Sequence, residues 1–460
     1  MSRYKGKRVL IVGFGKSGAS AAKYLVKQGA SVTVTDLKQR MELADSLKVV
    51  GDAKIEYDLG RHSIHLFLSC DLIVVSPGVP LNIKPLEEAR EKNIPITTEV
   101  EIAAVALKEP LVAVTGTNGK TTSTTLIGEM LKGAQRSCFV GGNIGTPLVD
   151  YVAGAQSADV VVAELSSFQL NLTERMVPAV AVFTNIGQDH LDRYPDMNAY
   201  IEAKKNLLRV CDRNSYVVLN YDDACVSQFM HENPGKLLWF TKRDPMSIGG
   251  EFAENFRGVF CDFEKREVVA RITNQEERYD VSMFKLFGDH NKENLMAAIC
   301  VARVMGVPPK VIQQVIASFP GVPHRLEYVR RINGVFFVND SKSTNIMSLK
   351  RSLESFKKSP IVLIAGGKDK DMDFSPLKEL VATRCKTLIL IGEAKEKINR
   401  TLGDCAETYL MGTFEEAILL AYQKSRTGDV VLLSPGCASY DMFRNFEERG
   451  EYFKKIVQQH

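Results

Sequence analysis

"RVLIVGFGKSG" occupies residues 8–18 and reads as a strand, a tight turn and the start of a helix: an apolar, β-branched run followed by Gly13-x-Gly15-x-x-Gly18. A second apolar run, "SVTVTD" (31–36), ends on Asp36. The combination fits a dinucleotide fingerprint, in which turn and helix N-terminus hold a diphosphate and the acidic residue takes a ribose hydroxyl. Taken alone it suggests a nicotinamide oxidoreductase. Whether the diphosphate belongs to that cofactor or to another ligand is decided by the rest of the chain.

The same grammar recurs in "DLIVVSPG" (71–78), "LVAVTG" (111–116), "DVVVAELS" (159–166), "AVAVFTN" (179–185), "PIVLIAGG" (360–367), "TLILIG" (387–392) and "DVVLLSPG" (429–436). Short runs apolar on both faces and separated by helical patterns belong to parallel sheets covered on both sides, so the class is α/β. A length of 460 residues accommodates about three domains. Pro95 and a Thr pair in "NIPITTEVEIA" (93–103) place one boundary near 98, and Pro320, Gly321 and Pro323 place another near 321. Residues 235–285, which include the single tryptophan, Trp239, read as irregular and β-rich.

Composition removes several classes. The 59 basic and 55 acidic residues give a net charge of +4, too weak for the basic stripe of a nucleic-acid binder. Nine cysteines are scattered without a Cys-x-x-Cys pair, so neither a disulfide framework nor a zinc site is expected and a reducing cytoplasm is the simplest setting. No uncharged apolar run approaches the roughly 18 residues of a membrane span.

"LVAVTGTNGKTTST" (111–124) is the second glycine-rich turn. Gly116 and Gly119 let backbone N–H groups curl around phosphate, Lys120 can reach the β- and γ-oxygens, and Thr121 can ligate Mg²⁺. It departs from the full phosphate-loop pattern at Val114, where a glycine is usual. Downstream come Glu164 in "ELSSFQL" (164–170), Asp189 and His190 in "TNIGQDHLDRY" (184–194), Lys204 in "MNAYIEAKKNLLRV" (197–210), and Asn291 and Asn294 in "HNKEN" (290–294). Each of these, standing alone, is as well explained by a solvated side chain or a helix cap.

In this order, "TGTNGKTT", "GGNIGTP" (141–147), "ELSSFQL", "TNIGQDHLDRY", "HNKEN" and "PHR" (323–325) resemble the Mur ligases, the ATP-dependent amide-forming enzymes of bacterial peptidoglycan synthesis. The resemblance spans nearly the whole chain. "FVNDSKSTN" (337–345), "GGKDKDMDFSPL" (366–377) and "LSPGCASYDMFRNFEERG" (433–450) are similar to the branch that adds D-glutamate to UDP-N-acetylmuramoyl-L-alanine; the Asp-Asn-Pro-Arg motif of the diamino-acid branch is missing. The implied fold has three domains: Rossmann-like at 1–98 for the UDP-sugar, a P-loop-type ATPase with a parallel sheet and a small β-rich part at 99–321, and Rossmann-like at 322–460 for the amino acid.

The resemblance also implies roles. Gly116, Thr117, Asn118, Gly119, Lys120, Thr121 and Thr122 would hold ATP phosphates, with Asn291, Asn294, Arg325 and Asp340 at base and ribose. Gly15, Lys16, Ser17, Asp36, Ser76, Pro77, Gly78 and Asn143 would meet the UDP-sugar, and Thr344, Lys370, Ser439 and Phe446 would meet D-glutamate, with Lys342 near the reacting carbonyl. Two Mg²⁺ sites are implied, the first at Thr121 and the second at Glu164, His190 and Lys204, the lysine being carbamylated by CO₂. The expected catalytic set is Lys120, His190, Lys204 and Lys342, in a soluble cytoplasmic monomer. A nicotinamide oxidoreductase would leave "TGTNGKTT" unexplained, and an ATP-hydrolysing switch would leave the last third unexplained.

Overall fold

The computed structural model describes residues 3–154, 157–189, 193–262, 265–273, 275–286, 288–356, 359–369 and 372–459. The chain divides into two compact units, Met1–Ser282 with Glu293–Val315, and Met283–Lys292 with Ile316–His460.

The first unit holds two sheets. Strands β1 (Arg8–Val12), β2 (Ser31–Asp36), β3 (Ile55–Leu59), β4 (Leu72–Val75) and β5 (Ile96–Thr98) form an all-parallel sheet in the order β3-β2-β1-β4-β5. The chain runs outward from β1 to β3, then returns to β4 on the other side of β1. That reversal opens a crevice at the carboxyl ends of β1 and β4, the place where doubly wound sheets bind ligands.

The second sheet is built from β6 (Leu111–Thr115), β7 (Cys138–Gly142), β8 (Val160–Glu164), β9 (Val180–Phe183), β10 (Tyr216–Asn220), β11 (Lys236–Thr241), β12 (Gly258–Asp262), β13 (Glu267–Arg271) and β14 (Glu277–Asp280). Its order is β14-β13-β12-β11-β10-β9-β6-β8-β7. It is parallel up to β12, and the irregular region resolves into an antiparallel β12-β13-β14 extension. Strands β6, β8 and β9 are wholly buried, which explains their uninterrupted Val and Ala content.

The second unit carries β15 (Glu327–Ile332), β16 (Val335–Asn339), β17 (Ile361–Gly366), β18 (Cys385–Ile391), β19 (Glu407–Leu410) and β20 (Val430–Leu433), ordered β15-β16-β20-β17-β18-β19. All pairs are parallel except β15-β16. Apolar cores lie on both faces of this sheet. The carboxyl ends of the adjacent β16, β20 and β17 lead into the loops at 340–344, 434–439 and 367–369.

Candidate active site

Two glycine turns dominate the first unit. At the first, Gly13 has φ +88° and Gly18 has no room for a side chain: a Cβ there would stand 2.0 Å from the Gly13 carbonyl. The Asp36 carboxylate accepts the Phe14 N–H at 2.6 Å and the Lys38 N–H at 2.8 Å; the Ser76 hydroxyl donates to the Gly13 carbonyl at 2.7 Å. Three strand ends are thereby tied into one rim. They border a cavity of about 680 Å³ that is lined by all eight residues expected at the UDP-sugar, Gly15, Lys16, Ser17, Asp36, Ser76, Pro77, Gly78 and Asn143. Lys16 donates to the Gly145 carbonyl at 2.5 Å, joining the rim to the loop that carries Asn143. Leu37, Lys38, His62 and Gln169, to which sequence reasoning gave no role, also line the cavity.

The second turn is held far more tightly. Gly116 has φ +143° and lies against Thr184, and Gly119 has φ +79° and lies against the Asn294 amide. Asn185 clamps the loop: its carbonyl accepts the Thr117 N–H at 2.8 Å, its Oδ1 the Asn118 N–H at 2.9 Å, and its Nδ2 donates to the Asn118 carbonyl at 3.1 Å. Sequence reasoning gave Asn185 no role. Lys120 Nζ donates to the Gly116 and Thr117 carbonyls at 3.0 and 2.9 Å, and Thr122 is buried in the helix Lys120–Gly133 that follows. The Asn294 Oδ1 accepts the Ser123 hydroxyl at 3.4 Å, so this residue packs on both the second turn and the helix it starts.

Beside the loop, Glu164 at the end of β8 accepts the Thr121 hydroxyl at 2.7 Å on Oε2 and the Asn143 amide at 2.8 Å on Oε1. One carboxylate thus links the second turn to the loop whose Asn143 lines the cavity at the first. Lys204, on the helix Met197–Arg209, is 1 % exposed and donates to the Gly116 carbonyl at 2.8 Å. It lies 4.8 Å from the centre of the Tyr200 ring, whose hydroxyl is 3.0 Å from Thr117 Oγ1. Burial, then the charge of Lys120, hold the Lys204 ammonium well below the ordinary lysine value, against the opposing pull of Asp189 and Glu164. His190 lies outside the described residues.

In the second unit, the Lys342 ammonium sits over the Phe446 ring at 3.9 Å from its centre. Ser439 is buried and Thr344 half-buried beside the same strand ends, and the 367–369 and 436–439 loops are stitched by Lys368 N–H donating to the Ala438 carbonyl at 2.9 Å. Lys370 lies outside the described residues. Asn291 is buried near the start of the helix Asp289–Val304. Arg325 is half-buried, between His324 and Leu326, both at positive φ. Asp340 turns inward, its Oδ1 accepting the Leu326 N–H at 3.1 Å and its Oδ2 the Ser352 and Ser434 hydroxyls at 2.5 and 2.8 Å. Complete burial pushes its carboxyl up to about 6.

Comparison with known proteins places this geometry. Residues 7–98 match the "Mur ligase MurD-like, N-terminal domain", 114–302 the "Mur ligase middle domain" and 324–437 the "Mur ligase, glutamate ligase domain". A protein of Bdellovibrio bacteriovorus named UDP-N-acetylmuramoylalanine–D-glutamate ligase is 45 % identical over 99 % of this chain and 98 % of its own. The chain belongs to the Mur ligase family. A Geotalea daltonii Mur ligase of the same name is also 45 % identical, over 98 % of this chain and 97 % of its own. Among solved structures, a pseudomurein peptide ligase type C from Methanothermus fervidus superposes with a TM-score of 0.58 at 20 % identity, covering 99 % and 100 % of the two chains. The UDP-N-acetylmuramate–alanine ligase MurC of Thermotoga maritima gives 0.57 at 19 %, covering 98 % and 99 %. At that identity these two show a shared Mur ligase fold. Among the described residues no helix is long and apolar enough to cross a membrane.

Proposed function

We propose that the chain is an ATP-dependent ligase that joins D-glutamate to UDP-N-acetylmuramoyl-L-alanine in peptidoglycan precursor synthesis, in the cytoplasm. The observation that carries the reading is the 45 % identity to ligases of that name over nearly the full length of both chains. The geometry accords with it: Glu164 accepts from Asn143, on the wall of the cavity at the first turn, and from Thr121, next to the second turn.

A carboxylate is a poor acylating agent, so ATP must first convert it to an acyl phosphate. The substrate carboxylate oxygen attacks the γ-phosphorus and ADP leaves. The amino group of D-glutamate then adds to the carbonyl, and the tetrahedral intermediate expels phosphate while the amine loses its proton. The first step brings two anions together and requires fixed cations around the γ-phosphate. Lys120, already on the loop carbonyls, is the first; Lys342 would meet the charge that develops at the reacting carbonyl. Asn291, Asn294, Arg325 and Asp340 are assigned to base and ribose, and Thr344, Lys370, Ser439 and Phe446 to D-glutamate.

Thr121 would hold one Mg²⁺, and Glu164, His190 and a carbamylated Lys204 a second; hydroxyl and carboxylate oxygens are the hard donors that suit Mg²⁺, whose charge would offset that of the phosphates. Lys204 is unsuited to a metal as an ammonium. Its burial disfavours the charged form, and the neutral amine is the form that adds to CO₂ to give an anionic carbamate, which would be an oxygen ligand. All these groups belong to one chain, so a monomer suffices.

The test is phosphate release with ATP and UDP-N-acetylmuramoyl-L-alanine, offering D-glutamate, L-glutamate, L-lysine or diaminopimelate. Release with D-glutamate alone, with product mass equal to that of the two substrates less water, is expected. Release with another amino acid but not D-glutamate, or release needing neither amino acid nor nucleotide sugar, contradicts the reading.

A further inference from the structure

The largest fully buried side chain among the described residues is an arginine, Arg449, on the helix Phe446–Gln459, at 0 % exposure. A guanidinium taken wholly out of water needs partners for its five donors. Arg449 finds partners for Nε and Nη2 on the strand-end loops. Its Nε donates to the Ser341 hydroxyl at 2.9 Å, and Nη2 to the Ser341 and Cys437 carbonyls at 2.8 and 3.1 Å. The Ser341 hydroxyl in turn donates to the Phe446 carbonyl at 2.8 Å. Nη1 has no partner among the described residues and points toward Gly367, where a Cβ would stand 3.2 Å away.

These contacts lie behind the groups assigned to the amino acid. Ser341 precedes Lys342 and Thr344; Cys437 precedes Ser439; Phe446 begins the helix that carries Arg449 itself. The loops also touch one another through Gly436 N–H to the Ser343 carbonyl and Gly366 N–H to the Pro435 carbonyl, both at 2.9 Å. The planar fork of arginine can hold two loops at once, which a lysine cannot do.

We propose that Arg449 is the positioning residue of the amino-acid pocket: its buried fork locks the loops after β16 and β20 into the one arrangement that presents Lys342, Thr344 and Ser439 together to a dicarboxylic amino acid. The inference rests on the ligase reading above. It makes Arg449 a determinant of amino-acid affinity without contact to the amino acid.

The full-length Arg449→Lys and Arg449→Met proteins test it, with KM measured separately for D-glutamate, ATP and UDP-N-acetylmuramoyl-L-alanine and with thermal melting alongside. Both variants are expected to raise the KM for D-glutamate about 10- to 100-fold, the scale of hydrogen bonds made by a charged group. The KM for the UDP-sugar should stay within about twofold, and lysine should recover only part of the loss. Ser341→Ala, the smaller change, removes one acceptor and should raise the same constant by a smaller factor. Wild-type D-glutamate affinity in Arg449→Lys or Ser341→Ala, a parallel rise in all three constants, or a lowered melting temperature alone would overturn the positioning role. A wild-type protein that makes no product from D-glutamate would overturn the ligase reading and this inference with it.

Discussion

The two glycine turns of the first unit share a sequence grammar and differ in nearly everything around it. Both follow a buried parallel strand and both start a helix. The turn at Gly13–Gly18 opens on a cavity of about 680 Å³, and nothing stands near the place of a Gly15 side chain. The turn at Gly116–Gly119 is closed in by Thr184, Asn185 and Asn294, with Lys120 on its carbonyls and the buried Lys204 beneath it. Glycine spacing marks where backbone N–H groups can meet an anion. The side chains that other strands deliver differ: Asp36 and Ser76 at the first turn, Glu164 and Asn185 at the second.

The largest expected effect falls on the second turn. If Lys120 supplies a fixed cation to phosphoryl transfer as proposed, Lys120→Ala should lower kcat for phosphate release by about 10³-fold; steady-state rates with saturating ATP check this. An undiminished kcat would erase the contrast between the turns. Lys204→Ala should cost about 10²-fold, and short-chain carboxylic acids should restore part of the rate; a fully active mutant without them would remove the carbamate.

Stability separates the two kinds of glycine within the first turn. Gly18→Ala drives a methyl onto the Gly13 carbonyl and should destabilise by about 3 kcal/mol, whereas Gly15→Ala should stay within about 0.5 kcal/mol. Denaturant titration of both variants measures the difference.

The smallest effect concerns Glu99, at the start of the helix Glu99–Ala106, which joins the two sheets. Its Oε1 accepts the Val149 N–H at 2.8 Å, just past the loop that carries Asn143. Burial, with Asp150 adding to it, raises its carboxyl from 4.5 to about 7. A raised folded pKa means that the native state holds the proton more tightly than the unfolded chain. The stability it brings is full below about 4.5 and is lost as the pH climbs through 7. Glu99→Gln should therefore gain on the wild type by about 2 kcal/mol from pH 5 to pH 8, read from melting curves across that range.

Much of the fold was legible in the sequence, and the reason is burial. The runs read as strands are β1, β2, β4, β6, β8, β9, β17, β18 and β20, and each has a neighbour on both sides in its sheet. Edge strands such as β3 "IEYDL", β15 "EYVRRI" and β19 "ETYL" carry charge because one side meets water. The β12-β13-β14 extension read as irregular because its hairpins are short and its outer strand, "ERYD", is mostly polar. At the candidate site, residues within one motif were legible because a turn fixes them locally. Lys204 was not legible from its surroundings in sequence: only the folded chain brings it under Gly116. Arg449 reads as one more charge in "FEERG", and nothing local shows that its donors end on Ser341, 108 positions away.

The most direct test of the contrast between the turns is calorimetric titration of UDP-N-acetylmuramoyl-L-alanine, ATP and NADH into the wild type, Asp36→Ala and Lys120→Ala. Asp36→Ala should weaken the nucleotide sugar about tenfold or more and leave ATP unchanged. Lys120→Ala should weaken ATP and leave the nucleotide sugar unchanged, and NADH should bind none of the three proteins. Tight NADH binding to the wild type, or loss of both nucleotides from a single variant, would contradict the assignment of two turns to two ligands.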